Sequence, residues 1–390
     1  MQDEESLSVG EGQTEWRITD LDALFEGLPP ETRALAGRLF DVASVTGRLE
    51  VPEGMRGWVK ETFGSVEVVQ EQKIVRVTNR MTLEGTLFND LRASRPFDVA
   101  DGEAQDVLRR EIEDTRRKDP FCAPEERTPA DVFGRVRGFH SITASNVAKY
   151  DGLHGLVVFD EHDPLSFTPE KLDDYISVAL EWMERALEED PEAKYPFLMW
   201  NCLWRAGSSV IHGHAQITVA KGTQYPKIER LRRAALEYKS IYGSDYFSDL
   251  MRLHEALGLG VPPPPGGSKD VYGFVSLTPR KEKEIVLLGP DLKKPLRRFL
   301  ADVLERYTRG LDVSSFNVAF YMQPLAPTEE DWSSFPVVVH LVDRGDPANH
   351  TSDIGAMELY AAPVVSSDPF LVARRLKGDH GGVQNPGYRT

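Results

Sequence analysis

G-S-S-V-I-H-G-H-A-Q-I-T-V, Gly207 to Val219, is the stretch on which the reading of this 390-residue chain turns. Its apolar and polar residues alternate, and in a strand alternate residues face the same side. A strand over 210–220 therefore projects His212, His214 and Gln216 together, with Ile211, Ala215 and Ile217 on the other face. Three hydrogen-bonding side chains on one face of an apolar strand are costly to bury without partners. Gly207, Ser208 and Ser209 just before them offer backbone N–H groups and two hydroxyls, as a phosphate cradle does. Imidazole is nucleophilic while neutral near pH 7, so a histidine here suits phosphoryl chemistry. The same pattern also fits two histidines satisfied in a structural network, or holding a structural metal.

The flanking segments extend the pattern. Before it come a short apolar run, GLVVF at 155–159, and a polar break. Thr168 then reads as an N-cap with Pro169 at the first helical position. Leu172, Tyr175, Ile176, Ala179, Leu180, Met183 and Leu187 recur at three- and four-residue steps, which predicts an amphipathic helix. PFLMWNCLW is a second strand. The order recurs later: VYGFVSLTP and EKEIVLL as strands, a helix from Pro295 to Tyr307, then SFNVAFYMQPL and SSFPVVVHLVD as strands. Matching VVF at 157–159 to VSL at 275–277, and His214 to His340, gives a divergent internal duplication. LGLGVPPPPGGSKD lies between the halves as a stiff-then-flexible connector. The expected fold class is α+β, with two duplicated halves, each an antiparallel sheet with flanking helices. The expected boundaries are an N-terminal extension over 1–75 and halves over 76–225 and 226–390. Within the extension, 1–15 reads as an acidic tail and 30–44 as a helix. A β-rich stretch follows over 66–89, and 103–119 reads as a solvated helix or loop.

Composition narrows the partners. Lys plus Arg number 46 against 62 Asp plus Glu, a net charge of −16, with 41% hydrophobic and 28% charged residues. The balance is that of an ordinary globular protein. It argues against nucleic acid or an anionic membrane as main partner, but not against small phosphate-bearing molecules, which need only a few placed cations. Cys122 and Cys202 are the only cysteines, too few for a disulfide framework. The acidic N-terminus lacks the pattern of a secretory signal. No run approaches the ~18 apolar residues of a membrane span. A cytoplasmic location is expected.

The motifs together resemble the galactose-1-phosphate uridylyltransferase branch of the histidine-triad superfamily. Gly207 to Gln216 is similar to its H-x-H-x-Q strand, Leu91 to Phe97 to its R-A-x-R-P segment, and Asp119-Pro120-Phe121-Cys122 to its C-P-F-C. Asn146, Glu161-His162-Asp163, Asn201 and Phe316 to Leu325 fall in the family's order, over roughly residues 80–375. The resemblance implies a ping-pong transfer of a nucleotidyl group through a covalent nucleotidyl-His214. The backbone carbonyl of His212 would fix the tautomer of His214, and Gln216 and Ser209 would bond the phosphoryl oxygens. Arg92, Arg95, Asn146, Asn201, Gly207 and Ser208 would bind the nucleotide, the arginines across a homodimer. Taken alone, that arginine pair reads as surface charge. The implied partners are a nucleotide sugar or other nucleotide, with a sugar phosphate or inorganic phosphate as acceptor.

Departures from the family pattern sharpen the expectations. Asp119 replaces one thiolate of C-P-F-C, so Asp119, Cys122, His162 and His212 form a mixed zinc-ligand set; a metal-free site fits the sequence as well. A second family metal site uses a Glu and three histidines. Here Tyr321 and Val338 take two of those positions and only His340 remains, which reads as a core histidine with no second metal. In the sugar-phosphate segment a lysine is replaced by Ser352 and a glutamine by Val364, while Glu358 persists as an acceptor-binding candidate. The acceptor therefore stands open between a sugar 1-phosphate and, in a phosphorylase or hydrolase acting on a nucleotide sugar or a dinucleoside polyphosphate, inorganic phosphate or water. A nucleotide- or metal-binding protein without turnover is the reading from another class.

Overall fold

The helix Pro169–Glu189 forms as its spacing predicts. The Thr168 hydroxyl accepts the Lys171 N–H at 3.3 Å, Pro169 opens the first turn, and Trp182, Met183 and Ala186 are fully buried. It packs on four neighbouring strands and against its counterpart, Lys294–Glu305. The computed structural model describes residues 15–94, 104–349 and 352–378; most of the acidic tail lies outside them. The strands are β1 (Phe40–Arg48), β2 (Glu71–Asn79), β3 (Gly85–Phe88), β4 (Ser141–Ser145), β5 (Leu153–Phe159), β6 (Ala193–Cys202) and β7 (His214–Lys221). They continue as β8 (Gly260–Val261), β9 (Tyr272–Val275), β10 (Glu282–Gly289), β11 (Phe316–Tyr321), β12 (Val337–Asp343) and β13 (Val364–Val365).

The architecture is α+β. The strands of the two halves run together into one nine-stranded sheet in the order β4-β5-β7-β6-β11-β12-β10-β9-β8, with antiparallel pairing throughout. The halves meet edge to edge where β6 pairs with β11, Asn317 opposite Asn201. The first half reads β4-β5-β7-β6 and the second β9-β10-β12-β11, so the repeat is visible in the topology. It also corrects the sequence match of 157–159 to 275–277. The counterpart of β5 is β10, since each precedes the long helix of its half; β9 is the counterpart of β4. His340 does lie on β12, the counterpart of the His214 strand.

Both long helices cover one face of the sheet. There Val157 and Phe159 of β5, Ala215 and Ile217 of β7, and Ile285 and Leu287 of β10 enter the main core. The opposite face of the first half carries a small apolar cluster, Phe121, Ile142, Ala144, Leu156 and Val158. The candidate residues His214 and Gln216 stand on this second face.

A separate sheet, β1-β2-β3-β13, is built from residues 40–88, across the expected boundary at 75, and closed by residues 364–365. It docks on the second half through Asn79 Nδ2 donating to Tyr246 OH at 2.8 Å and Thr86 Oγ1 donating to the Pro279 carbonyl at 2.8 Å. Three local expectations shift. The helix predicted over 30–44 ends at Leu39, because Phe40 to Arg48, rich in β-branched residues, pairs with β2 instead. The β-rich stretch begins with a helical turn, Val66–Gln70, capped by Ser65. Within 103–119 the helix is Ala104–Thr115.

Candidate functional site

The strand predicted over 210–220 begins only at His214, and 207–213 is a loop. Gly207 opens it at φ +95, a conformation open to glycine at little cost. Gly213 closes it. Its N–H donates to the His162 carbonyl at 3.2 Å, and its own carbonyl accepts the Phe159 N–H at 2.9 Å. A Cβ on Gly213 would stand 2.6 Å from the Phe159 ring. The loop backbone is thereby clamped against the end of β5, which carries the His212 ring away from the strand and into a cluster of its own.

His214 Nδ1–H donates to the His212 carbonyl at 2.8 Å. The tautomer is thus set, and the Nε2 lone pair has no hydrogen-bond partner among the described residues. Burial lowers the tendency of this ring to take a proton, so it stays neutral. Phe121 meets the imidazole edge-on, centroids 5.1 Å apart. Register places the neighbours. Gln216 lies opposite Leu156 of β5 and Met199 of β6. Trp200 pairs with Ala215, so the same register carried one step on sets Asn201, two residues beyond Met199, level with His214 and on the same face. Gln216 Oε1 is 3.1 Å from His154 Nε2, and His154 Nδ1 accepts the Tyr150 N–H at 2.9 Å. That acceptor role leaves Nε2–H as donor to Gln216 Oε1, and the Gln216 NH2 remains available to an anion. Asn146 Nδ2 lies 3.2 Å from the same His154 nitrogen. His154, fully buried, escaped the sequence reading; its signal was its place in GLHGLVVF, alternating with Leu156 and Val158 on the site face.

The other candidates divide. Ser209 is exposed in the loop, while the Ser208 hydroxyl turns back onto the Val210 carbonyl. Arg92 sits in the turn Asp90–Ser94 that leaves β3, on the side of the small sheet. Arg95 lies outside the described residues. Glu358 accepts the Gly355 N–H at 2.9 Å and caps its own short helix, Ala356–Tyr360.

Asp119, Cys122, His162 and His212 converge, with one ligand atom of each lying within 4.8 Å of the others. Asp119 caps the turn Pro120–Cys122 through the Phe121 N–H. Its Oδ2 lies 2.6 Å from His212 Nδ1 and 2.9 Å from His162 Nδ1, and the two Nδ1 atoms are 3.3 Å apart. Cys122 Sγ is 3.4 to 3.7 Å from all three. Both imidazoles spend Nε2–H on a carbonyl, His212 on Phe159 at 2.7 Å and His162 on Ile112 at 2.7 Å. Their Nδ1 lone pairs are therefore bare and face each other across a carboxylate. Such a set calls for positive charge at its centre, and ligand atoms around a tetrahedral zinc stand about 3.4 Å apart. Carbonyl acceptors on the far nitrogens are the usual support of metal-bound histidines. The residues fit a zinc ion. Without it, burial and the neighbouring Asp119 push the Cys122 thiol up to about 11. Burial also works to raise Asp119, but in the metal-free cluster a proton taken up between its Oδ2 and His212 Nδ1, together with the Phe121 N–H, holds it down at about 2.

In the second half, Glu284, buried on β10, lies 3.0 Å from His340 Nδ1. Arg280 donates to Glu284 and, at 2.8 Å, to Glu84 from the small sheet. Among the described residues no helix is long and apolar enough to cross a membrane.

No family model and no curated protein matches the sequence. Solved structures do share the fold. An ADP-glucose phosphorylase from Arabidopsis thaliana, with bound ADP-glucose, aligns at a TM-score of 0.57 and 16% identity, over 79% of this chain and 98% of that one. A GalT-like protein from Arabidopsis thaliana aligns at 0.52 and 17%, over 66% and 91%. A uridylyltransferase aligns at 0.51 and 16%, over 66% and 90%. The fold implied by the sequence motifs is the fold these structures have.

Proposed function

We propose that this chain is a nucleotidyltransferase working through a covalent nucleotidyl-His214, and that it belongs with the galactose-1-phosphate uridylyltransferase-like proteins. The observation that carries the reading is the His214 ring itself: neutral, held at Nδ1 by the His212 carbonyl, with Nε2 open beside the amides of Gln216 and Asn201. Nε2 attacks the α-phosphorus of a nucleotide sugar. The P–N bond forms as the P–O bond to the sugar phosphate breaks, and the leaving phosphate carries the electron pair away. An acceptor phosphate oxygen then attacks the same phosphorus, the P–N bond breaks, and His214 returns neutral. Amide donors and Ser209 stabilise the equatorial oxygens as charge shifts onto them, while the Gly207 and Ser208 N–H groups are held by the Trp204 and Leu203 carbonyls and shape the loop. In a homodimer, Arg92 and Arg95 add guanidinium charge.

Zinc at Asp119, Cys122, His162 and His212 would supply the missing positive charge and lock the loop that carries the His212 carbonyl. Its role there is to position the nucleophile. The second half takes no metal in this reading, because the Arg280 guanidinium already neutralises the carboxylates around His340.

One observation favours a phosphorylase over transfer to a sugar phosphate. Ser352 supplies no cation where the family has lysine, and Glu358 is engaged in capping its own helix. Inorganic phosphate needs neither contact. ADP-glucose bound in a structure of the same fold makes an ADP-sugar a donor to test beside UDP-sugars.

The test is intact-mass measurement of the protein after incubation with ADP-glucose, UDP-glucose or UDP-galactose. The expected result is a gain of one nucleotidyl group with release of sugar phosphate, and none in His214→Asn of unchanged circular dichroism. Added phosphate should discharge the adduct as a nucleoside diphosphate. Tight nucleotide binding with no adduct from any donor would replace the enzyme by a binding protein.

A further inference from the structure

A chain of hydrogen bonds from the second half determines which end of an amide the site presents. Asn201 and Asn317 face each other across the β6–β11 junction. An amide's oxygen and nitrogen are set by their partners. Here the partners settle it, because the outermost one is a guanidinium, which only donates. Arg344 Nε and Nη2 donate to the two oxygens of Asp353 at 3.0 and 2.9 Å, and Nη1 donates to Asn317 Oδ1 at 2.7 Å. Asn317 Oδ1 is therefore the acceptor. Asn317 Nδ2 spends its two hydrogens on Asn201 Oδ1 at 2.7 Å and the Ala206 carbonyl at 2.8 Å. Asn201 is then fixed with its oxygen turned to Asn317 and its NH2 as the free end beside His214. The bond to Ala206 also tethers the residue before Gly207, where the loop begins.

We propose that Asn317 and Arg344 are positioning residues that hold Asn201 as an amide donor to the phosphoryl group, so that the second half, without a nucleophile of its own, completes the anion site of the first. This rests on the nucleotidyltransferase reading. Asp353, at the far end, lies in the segment 352–358 expected at the acceptor. The placement of that segment is thus tied to the donor amide through one guanidinium and one asparagine.

Asn317→Asp is the informative substitution. It is nearly isosteric and still accepts from Arg344, but it offers Asn201 an acceptor. Asn201 must turn its NH2 toward it and present its oxygen to the phosphate. Losing one such donor slows transfer about 10²-fold. The experiment measures single-turnover formation of the nucleotidyl-protein, and ADP and UDP binding by calorimetry, in wild type, N317D, N201A and the double variant. Expected are a loss of about 10²-fold in N317D and a similar loss in N201A, with the double variant no slower than N201A alone. Equal effects of N317D in both backgrounds, or none in wild type, overturn the relay. N317D also removes the bond to Ala206, so Arg344→Met serves as the second variant: it leaves that bond in place and is expected to slow transfer about 10-fold, the low end for a hydrogen bond to a charged group. If wild type forms no adduct with any donor, the enzymatic reading falls, and the relay is judged on binding: N317D must weaken ADP or UDP in wild type but not in N201A. Binding of neither nucleotide to wild type overturns both.

Discussion

Two clusters of carboxylate and imidazole sit over the same face of the large sheet, one in each half, and they obtain their positive charge differently. In the first half the Asp119 carboxylate meets two imidazole Nδ1 atoms, a thiol and a backbone N–H, with no guanidinium or ammonium on it among the described residues. In the second half the Glu284 carboxylate meets one imidazole, and Arg280 binds it and Glu84 together. Buried carboxylate is expensive in both places. The second half answers with a side chain of its own. The first gathers a donor set of the right chemistry for a metal ion. In the proposed reading the repeat has diverged by who supplies the charge, and the half that would import it is the half with His214.

The largest expected effect tests that difference directly. Purified protein should carry one zinc per chain by elemental analysis. Asp119→Ala or His162→Ala should abolish it and slow nucleotidyl-protein formation about 10²-fold, since the His212 carbonyl loses its anchor. His340→Ala should keep the zinc. Two metal ions per chain, or zinc retained in D119A, would break the comparison. On the other side, Arg280→Met leaves the buried Glu284 without its cation, while Glu84 keeps Arg230 at 3.0 Å. Breaking such a pair costs about 3 kcal/mol, the low end for buried pairs because Arg280 and Glu84 keep some solvent contact. Urea unfolding measures this, and the zinc content should not change.

The first cluster was legible in the sequence and the second was not, for a physical reason. Asp119, Cys122, His162 and His212 are all residue types that seldom gather without a task, and their spacing survives in short motifs. His340 stands alone on an apolar strand in the sequence; its partners Glu284 and Arg280, and Glu84 beyond Arg280, look like any surface charges until the small sheet is docked. The same holds for the anion site. His214 and Gln216 show in the alternation of one strand. Asn317 and Arg344 gain meaning only when β11 pairs with β6, a junction between distant strands that no local pattern encodes. His212 shows the limit of alternation. It was grouped with His214 as strand, but Gly213 must pass against Phe159, and the chain leaves the sheet there.

An acid titration sharpens the contrast. Burial alone would raise Glu284, but Arg280 and His340 hold its carboxyl down at about 2, from an ordinary 4.5. A carboxyl lowered in the folded state adds stability that is complete above the unfolded-state value and is lost as pH falls through the folded one. Wild type should therefore lose stability between about pH 4.5 and 2 through this group, and Glu284→Gln should flatten that limb while starting from a lower plateau at pH 7. Denaturant midpoints at pH 7, 4 and 3 read both. A curve for E284Q parallel to wild type would show that Arg280 is not what holds the carboxyl ionised.

The smallest effect compares the two long helices that back the two clusters. Pro169–Glu189 begins with Thr168, whose hydroxyl accepts the Lys171 N–H, and with Glu170 in its first turn. Lys294–Glu305 begins with Lys293, which makes no side-chain cap, and has no acidic residue in its first turn. Its N-terminus thus leaves the Leu296 N–H without a side-chain cap and sets two lysines against the positive end of the helix dipole. Pro295 removes one of the orphan N–H groups, which is why the helix forms without a cap. Thr168→Ala should cost about 1 kcal/mol, and Lys293→Thr should gain about as much, because the Lys293 backbone is already extended as a cap requires. Both are read as shifts of the urea midpoint with an unchanged slope. Neither should alter zinc content or nucleotidylation, because both caps act on the helix face of the sheet while the chemistry stands on the other. A gain in K293T accompanied by slower transfer would mean that the second half moves during turnover and that its loose helix start serves that motion.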